Sequence, residues 1–295
     1  MTRVLVLMDF SAAALSALRV ARAAFPGAVP TMLHVVPTLP VDRPPGGPAT
    51  PEDEQLAALG GGEIVVGRPA GEALRRAWAR RYDVLALGTA GRRGLSRLRL
   101  GSVAEQVIRE SPVPVLSVHS PDAEDHLPLP VASRRRWLRA LHDLGQEEAL
   151  AALRVLVMMD FSDSARRALD FVRTHLAGAQ VELLHVVDPA SRTVPFALPG
   201  APDPPLPDAG RESLAERHAL WEREAGARLA ELGGGEVVRG EPARTALDRA
   251  ASGEYDLLAV GTSGQAPVSR LMLGSVALRI VRESPIPVLT ARATG

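Results

Sequence analysis

The chain has 295 residues, 46% of them hydrophobic and 3% aromatic, and its 34 basic and 34 acidic residues cancel to a formal net charge of zero. That balance argues against nucleic acid or an anionic membrane as the main partner. All the basic residues are Arg and Cys is absent, which excludes a P-loop lysine, a lysine Schiff base, disulfides and thiol chemistry.

The first 119 residues alternate between strand-like and helix-like segments. Short apolar runs predict five buried strands: Val4–Met8, Thr31–Val36, Ile64–Val66, Val84–Leu87 and Val113–Val118. Capping residues, prolines and apolar periodicity predict four helices: one from Ser11 to Pro26, then Glu52–Leu59, Ala70–Arg81 and Ser102–Glu110. Leu74, Ala77 and Trp78 fall on one face of the third helix. The alternation predicts an α/β fold with a doubly wound parallel five-stranded sheet, whose ligand crevice lies beyond the carboxyl ends of the strands.

A connecting segment follows the fifth strand. Ser120–Pro130 is polar and contains proline, which is typical of a linker, and Arg134–Leu144 has the pattern of an amphipathic helix with Trp137 among its apolar positions. We interpret the three arginines at 134–136 as a solvated helix start, with a patch that binds an anion or nucleic acid as the alternative.

The pattern of the first half recurs in the second. Residues 3–11 return at 154–162 with one difference, an offset of 151, and Gly60-Gly-Gly-Glu63 returns as Gly233-Gly-Gly-Glu236, an offset of 173. The second copy therefore contains 22 additional residues, since 173 minus 151 is 22. They lengthen a Pro-rich loop, Asp188–Gly210, and a helix, Glu212–Leu232. We interpret the loop as a disordered connection, and the alternative is a flap over the crevice. The sequence thus predicts two domains, 1–119 and 153–295, joined by residues 120–152.

A glycine-rich signature follows the fourth strand of each copy. In the first copy Gly88-Thr-Ala-Gly91 is followed after nine residues by Gly101-Ser102, and in the second Gly261-Thr-Ser-Gly264 is followed after nine residues by Gly274-Ser275. Such glycines let the backbone turn and present N–H groups, and the start of the next helix attracts an anion. The signature therefore predicts a phosphate site in each copy; the alternative is a glycine turn with an ordinary Ser N-cap. The first copy adds positive charge between its glycines, at Arg92, Arg93, Arg97 and Arg99.

Together these motifs resemble the universal stress protein family. The resemblance rests on the signature, the Val-Leu-Val-x-Met-Asp-Phe-Ser strand and the Ser-Pro-Val-Pro-Val-Leu segment, which reads Ser-Pro-Ile-Pro-Val-Leu in the second copy. Because both copies match, the chain is similar to tandem, two-domain members of the ATP-binding branch. The resemblance implies two adenine-nucleotide α-hydrolase-like, Rossmann-like sheets. In the family the exposed fifth strands pair across a dimer, which implies that Val113–Val118 and Val288–Ala291 pair here within one chain as a pseudo-dimer. A further homodimer of the whole chain stays open.

The resemblance also implies ligand-binding roles for particular positions. Asp9 and Asp160, at the end of the first strand of each copy, would approach the ribose and adenosine side or help to hold a metal, and the backbone of Val35 and Val186 would read the adenine edge. Ribose and phosphates would be held by Gly88, Gly91, Gly101, Ser102 and Val103 in the first copy and by Gly261, Gly264, Gly274, Ser275 and Val276 in the second. The alternative for Asp9 is a carboxylate that caps the following helix.

We therefore expect a cytoplasmic, nucleotide-responsive stress regulator that binds ATP with Mg²⁺ and has neither a nucleic-acid nor a membrane partner. The chain enters its first strand without a secretory leader, and no apolar run approaches the ~20 residues that span a bilayer. No catalytic residue is predicted, and His34 and His185 are interpreted as structural, so any ATPase activity is weak and metal-assisted. A nucleotide α-hydrolase-type enzyme, with slow ATP hydrolysis or adenylyl transfer, and a ligand-free dimerisation scaffold are the alternatives.

The two sites are expected to be unequal. The second copy has Gln265-Ala-Pro267 where the first has Arg92-Arg-Gly94. This difference removes positive charge and adds a fixed φ angle to the segment between the glycines. The first site is therefore expected to bind nucleotide more tightly.

Overall fold

The computed structural model describes residues 1–37, 49–89, 100–119, 133, 136–137, 153–176, 178–189, 214–263 and 273–293. Within these residues ten strands form one sheet: β1 (Val4–Leu7), β2 (Thr31–Val36), β3 (Gly62–Val66), β4 (Val84–Gly88), β5 (Val115–Val118), β6 (Arg154–Met158), β7 (Gln180–Val187), β8 (Glu236–Arg239), β9 (Leu257–Gly261) and β10 (Val288–Ala291). The helices bounded within the same residues are α1 (Ala12–Ala24), α2 (Pro51–Ala58), α3 (Pro69–Trp78), α4 (Ser102–Glu110), α5 (Asp163–His175), α6 (Leu214–Glu231), α7 (Pro242–Ala251) and α8 (Ser275–Glu283). None of these described helices is long and apolar enough to cross a membrane.

The strand order is β3-β2-β1-β4-β5-β10-β9-β6-β7-β8, and pairing is parallel within each half. Helices α1, α2, α5 and α6 bury apolar residues on one face of the sheet, and α3, α4, α7 and α8 do so on the other. The predicted doubly wound α/β fold is confirmed. One face assignment was wrong: Leu74 and Ala77 are buried, but Trp78 is 64% exposed, because α3 ends at this residue.

Antiparallel pairing of β5 with β10 joins the two halves. The Ser117 hydroxyl donates to the Val288 carbonyl at 3.0 Å, and the Thr290 hydroxyl donates to the Val115 carbonyl at 3.3 Å. The predicted pairing of the two copies within one chain is confirmed. Because the pairing is antiparallel, the carboxyl ends of β1 and β4 lie at the opposite edge of the sheet from those of β6 and β9.

Helix contacts also cross this joint. Phe25 and Phe171 meet edge to face with their ring centroids 6.1 Å apart, a favoured aromatic geometry. Arg167 donates to the Pro112 carbonyl at 2.7 Å from the other half. The position that corresponds to Arg167 in the first copy is Ser16, so this cross-domain bond has no symmetric equivalent.

The segment between the copies is anchored to the second half. Arg136 donates through Nε to both carboxylate oxygens of Asp256, at 2.7 and 2.9 Å, and Asp256 is fully buried. The indole of Trp137, also fully buried, donates to the Asp256 carbonyl at 3.1 Å, and the backbone N–H of Arg154 donates to the same carboxylate at 2.9 Å. The interpretation of residues 134–136 as solvated was therefore wrong for Arg136, because a buried carboxylate requires a cation; residues 134 and 135 lie outside the described residues.

We predict that Arg136→Ala lowers the free energy of unfolding by about 3–5 kcal/mol, because it leaves the buried Asp256 carboxylate without its cation. Arg3→Ala is the matched control: Arg3 pairs with Asp83, the counterpart of Asp256, but its side chain is 55% exposed. Because solvent screens that pair, its loss should be much smaller. Urea denaturation of both variants measures the difference, and equal losses would contradict the assignment of a buried anchor.

Candidate functional site

The turn after the first strand of each copy is built from an Asp-Phe-Ser sequence. Ser11 is the N-cap of α1, and its hydroxyl accepts a hydrogen bond from the Ala14 N–H at 3.2 Å. Asp9 accepts from the Ser11 N–H at 3.0 Å and from its hydroxyl at 2.6 Å. Asp160 and Ser162 repeat both bonds, at 3.0 and 2.5 Å. Each aspartate thus orients the capping serine and does not itself cap the helix, so its carboxylate stays at the end of the strand.

The phenylalanine of this turn has left-handed backbone geometry. The φ angles are 60° at Phe10 and 63° at Phe161, a conformation that costs a bulky L-residue about 1–3 kcal/mol and is characteristic of functional sites. The Phe10 ring packs against His34 with centroids 4.9 Å apart, and the Phe161 ring against His185 at 5.0 Å. Both copies therefore hold the same uncommon turn against the same kind of side chain.

These histidines are buried and bonded to the first strand. His34 is 8% exposed and His185 is 5% exposed. The His34 Nδ1 lies 2.7 Å from the Met8 carbonyl oxygen, and the His185 Nδ1 lies 2.7 Å from that of Met159. Burial lowers the pKa of His185, which favours the neutral ring.

The second strand of each copy extends past the first and leaves part of its backbone edge open. The Met8 N–H donates to the Leu33 carbonyl at 2.9 Å, and this is the last described backbone bond between β1 and β2. Residues two apart on a parallel strand turn their backbone groups toward the same neighbour, so those of Val35 point past the end of β1. Val186 occupies the same position on β7. This part of the strand edge therefore extends beyond the end of the first strand, at the carboxyl end of the sheet.

The first glycine of each signature allows a helix to approach the sheet. A Cβ on Gly88 would lie 2.6 Å from the Ala13 Cβ and 2.7 Å from the Ala14 N, and one on Gly261 would lie 2.6 Å from the Ala165 N. Neither glycine has a positive φ angle, so the expected reason, a sharp backbone turn, is replaced by close contact with the start of α1 or α5. The second glycines, at 91 and 264, lie outside the described residues, as do the arginines at 92, 93, 97, 99 and 270.

The third glycine of each signature is a helix N-cap. Gly101 is the N-cap of α4, with φ −64° and ψ 145°, and supplies no side-chain cap. Ser102 is the first helical residue, so the alternative of an ordinary Ser N-cap is wrong. The Gly101 N–H donates to the Thr89 carbonyl at 2.9 Å, and the Thr89 N–H donates to the Val118 carbonyl at 3.0 Å. The same bond recurs at Gly274 before α8. The helix start is therefore fixed to the strands, with its positive end directed to the crevice.

The second copy encloses a cleft of about 490 Å³ at the switch point between β6 and β9. Six of the sequence-predicted residues line it: Asp160, Val186, Gly261, Gly274, Ser275 and Val276. Its remaining wall is formed by Met158, Met159, Leu184, His185, Pro242, Val260, Thr262, Ser263, Leu273 and Ala277. The first-copy residues Asp9, Val35, Gly88, Gly101, Ser102 and Val103 occupy the corresponding strand ends and helix start around β1 and β4. The predicted positions are thus brought together around mostly apolar walls, one carboxylate and one helix N-terminus.

One contact distinguishes the two crevices. The Ser164 hydroxyl, at the start of α5, donates to the Ser263 carbonyl, which follows β9. The first copy has Ala13 at the position of Ser164, so α1 makes no such bond. The beginning of the second glycine segment is therefore fixed to its helix by a side chain that the first copy lacks, a difference that sequence motifs did not suggest.

The sequence and the fold of this chain are similar to those of known proteins. The sequence profile of the universal stress protein family matches residues 1–119 and 152–292. A universal stress protein of Mycobacterium tuberculosis is 28% identical over 211 residues, which cover 71% of this chain and 62% of that protein. The chain thus matches about three fifths of that relative's length. A universal stress protein structure from Archaeoglobus fulgidus superposes with a TM-score of 0.56 at 17% identity, covering 99% and 98% of the two chains. A functionally unknown protein from Pseudomonas aeruginosa gives 0.60 at 12% identity, covering 99% and 93%.

The two kinds of glycine predict different effects of the same substitution. Gly88→Ala forces a Cβ into the start of α1 and should lower the free energy of unfolding by about 2–3 kcal/mol. Gly101→Ala meets only the Thr89 carbonyl, at 3.3 Å, in a backbone conformation open to alanine, and should cost about 0.5 kcal/mol. Urea denaturation of the two variants checks this, and a Gly101→Ala variant as unstable as Gly88→Ala would contradict the assignment.

Proposed function

The chain belongs to the universal stress protein family, and we propose that it binds an adenine nucleotide, ATP with Mg²⁺, in the crevice of each half. The observation that carries the proposal is the convergence of an open strand edge, a carboxylate and an uncapped helix N-terminus on one cleft. These three features match the base, the sugar and the phosphates of a nucleotide.

The base fits the apolar part of the cleft wall. Leu184 and Val186 at the end of β7 and Met158 and Met159 at the end of β6 form that part. The backbone N–H and C=O of Val186 would donate to and accept from the edge of an adenine. A volume of about 490 Å³ lies within the ~300–1,000 Å³ typical of small-ligand pockets.

The sugar and phosphates fit the polar side. Asp160 would accept hydrogen bonds from ribose hydroxyls, and the first N–H groups of α8, after Gly274, would donate to a phosphate. The Ser275 hydroxyl, exposed at the start of α8, would add another donor. Val276 follows Ser275 in α8, and Val103 follows Ser102 in α4, so the N–H group of each valine belongs to the uncapped first turn of its helix.

A magnesium ion fits this arrangement only together with the nucleotide. In the described part of the chain no group of three or more His, Asp or Glu side chains converges as a metal site. Mg²⁺ commonly takes one or two carboxylates and completes its shell with phosphates and water. Asp9 or Asp160 would supply such a carboxylate, and the bound metal would neutralise phosphate charge.

We propose that the protein acts as a nucleotide-responsive regulator in the cytoplasm. The described cleft residues offer a buried histidine tied to a carbonyl and an aspartate engaged in a turn, neither of which is poised to activate a water molecule. ATP hydrolysis would then be slow at most, and the signal would be occupancy of the clefts.

Titration calorimetry of nucleotide-free protein tests binding, and we expect two ATP sites per chain. Gly101→Val should abolish the first and Gly274→Val the second, since each added side chain enters the space that a phosphate would occupy; circular dichroism checks that both variants are folded. Retention of two sites in the double variant, or no binding by the unmodified chain, would refute the proposal.

The two single-site variants also test the expected inequality. The chain that keeps the first site should bind ATP roughly tenfold more tightly, because one partly exposed Arg–phosphate contact is worth about 1–2 kcal/mol. The opposite order would contradict the expected effect of the arginines and favour the bond from Ser164 to Ser263 as the difference that matters.

A further inference from the structure

We propose that His34 and His185 are positioning residues of the two nucleotide sites. Each buried imidazole would hold the end of the first strand so that the left-handed turn presents its aspartate to the ligand. This inference rests on the proposed nucleotide binding and assigns a function to side chains that contact the strand, not the ligand's reacting atoms.

Each histidine and its predecessor hold both backbone polar groups, N–H and C=O, of one residue. Leu33 accepts from the Met8 N–H at 2.9 Å, and the next residue, His34, contacts the Met8 carbonyl at 2.7 Å. A carbonyl oxygen only accepts, so the proton lies on Nδ1 of the imidazole. Met8, the last residue before Asp9, is therefore held by the end of β2 through both its N–H and its C=O.

The same imidazole also supports the uncommon backbone that follows. The ring of His34 packs on Phe10, whose φ is 60°, and the ring of His185 packs on Phe161, whose φ is 63°. A left-handed conformation persists only where its surroundings determine it. Here the bonded methionine carbonyl before the aspartate and the packed phenylalanine ring after it hold the turn in this conformation.

The histidines also connect the two ligand-facing elements of each cleft. His185 immediately precedes Val186, whose backbone edge is open, and its Nδ1 binds the carbonyl immediately before Asp160. One side chain thus sets the relative position of the base-facing edge and the ribose-facing carboxylate. Such preorganisation improves affinity without a contact to the ligand.

Variants of the second site in a Gly101→Val background, where only that site remains, provide the test. His185→Leu preserves the branching at Cγ but has no donor, and it should weaken ATP binding at least tenfold. His185→Asn places an amide nitrogen at the position of Nδ1 and should bind within about threefold of the background. If His185→Leu does not fold, His185→Gln, whose amide lies one bond farther out, takes its place with the same expected loss.

His34→Leu in the same background is the matched control, because it removes an equivalent buried bond next to the site that is already closed. It should lower stability about as much as His185→Leu yet leave the ATP dissociation constant unchanged. Unchanged affinity in His185→Leu, or an equal loss in His34→Leu, overturns the positioning role.

Two measurements on ligand-free protein separate this inference from the proposed function. Nitrogen-15 spectra should show both rings protonated at Nδ1, and His185→Leu should speed exchange of the Ser162 amide, which is bonded to Asp160, at least tenfold. Rings protonated only at Nε2, or unchanged exchange, refute the positioning of the turn even if no nucleotide binds. If the Gly101→Val protein does not bind ATP but the rings are protonated at Nδ1 and His185→Leu speeds the Ser162 exchange, only the proposed function is refuted.

Discussion

The antiparallel hydrogen bonds between β5 and β10 are the constraint on which the whole arrangement depends. A five-stranded parallel unit of this kind would end on one side in β5, whose backbone groups need a partner. Pairing that edge with its equivalent from the second copy makes one continuous sheet, and both apolar layers then run across the joint. The outer edges are left to β3 and β8, which are short.

Local pattern was sufficient to predict most of the fold. The strands, the caps at Ser11 and Ser162 and the long α6 follow from apolar runs, capping residues and the repeat, and the strand pairing follows from the family resemblance. What could not be predicted depends on residues far apart in sequence. The anchor between Arg136 and Asp256 joins residues 120 positions apart, and a solvated arginine run looks the same in sequence.

The motifs indicated which strand ends and helix start surround the described cleft, but not the contacts that these residues make. From the motif we expected Gly88 to allow a sharp backbone turn. In the structure, glycine is needed there because a Cβ would clash with the start of α1. The left-handed Phe10 was not expected, because nothing in its local sequence favours that conformation over an extended one. A phenylalanine between a strand and an N-cap serine, found twice, is the signal that could have drawn attention to it.

Joining both halves in one chain also removes the requirement that the interface be self-complementary, with the same residues on both sides. In a symmetric dimer every substitution appears on both sides of the axis, whereas here Ser117 and Thr290 differ at equivalent positions and Arg167 reaches Pro112 from one side only. Each half is free to change alone, as Ser164 and Ala13 already illustrate. Under the proposed nucleotide binding, clefts of unequal affinity would be filled one at low and the other at high nucleotide concentration, and a single polypeptide would report two thresholds where a symmetric dimer of identical sites has one.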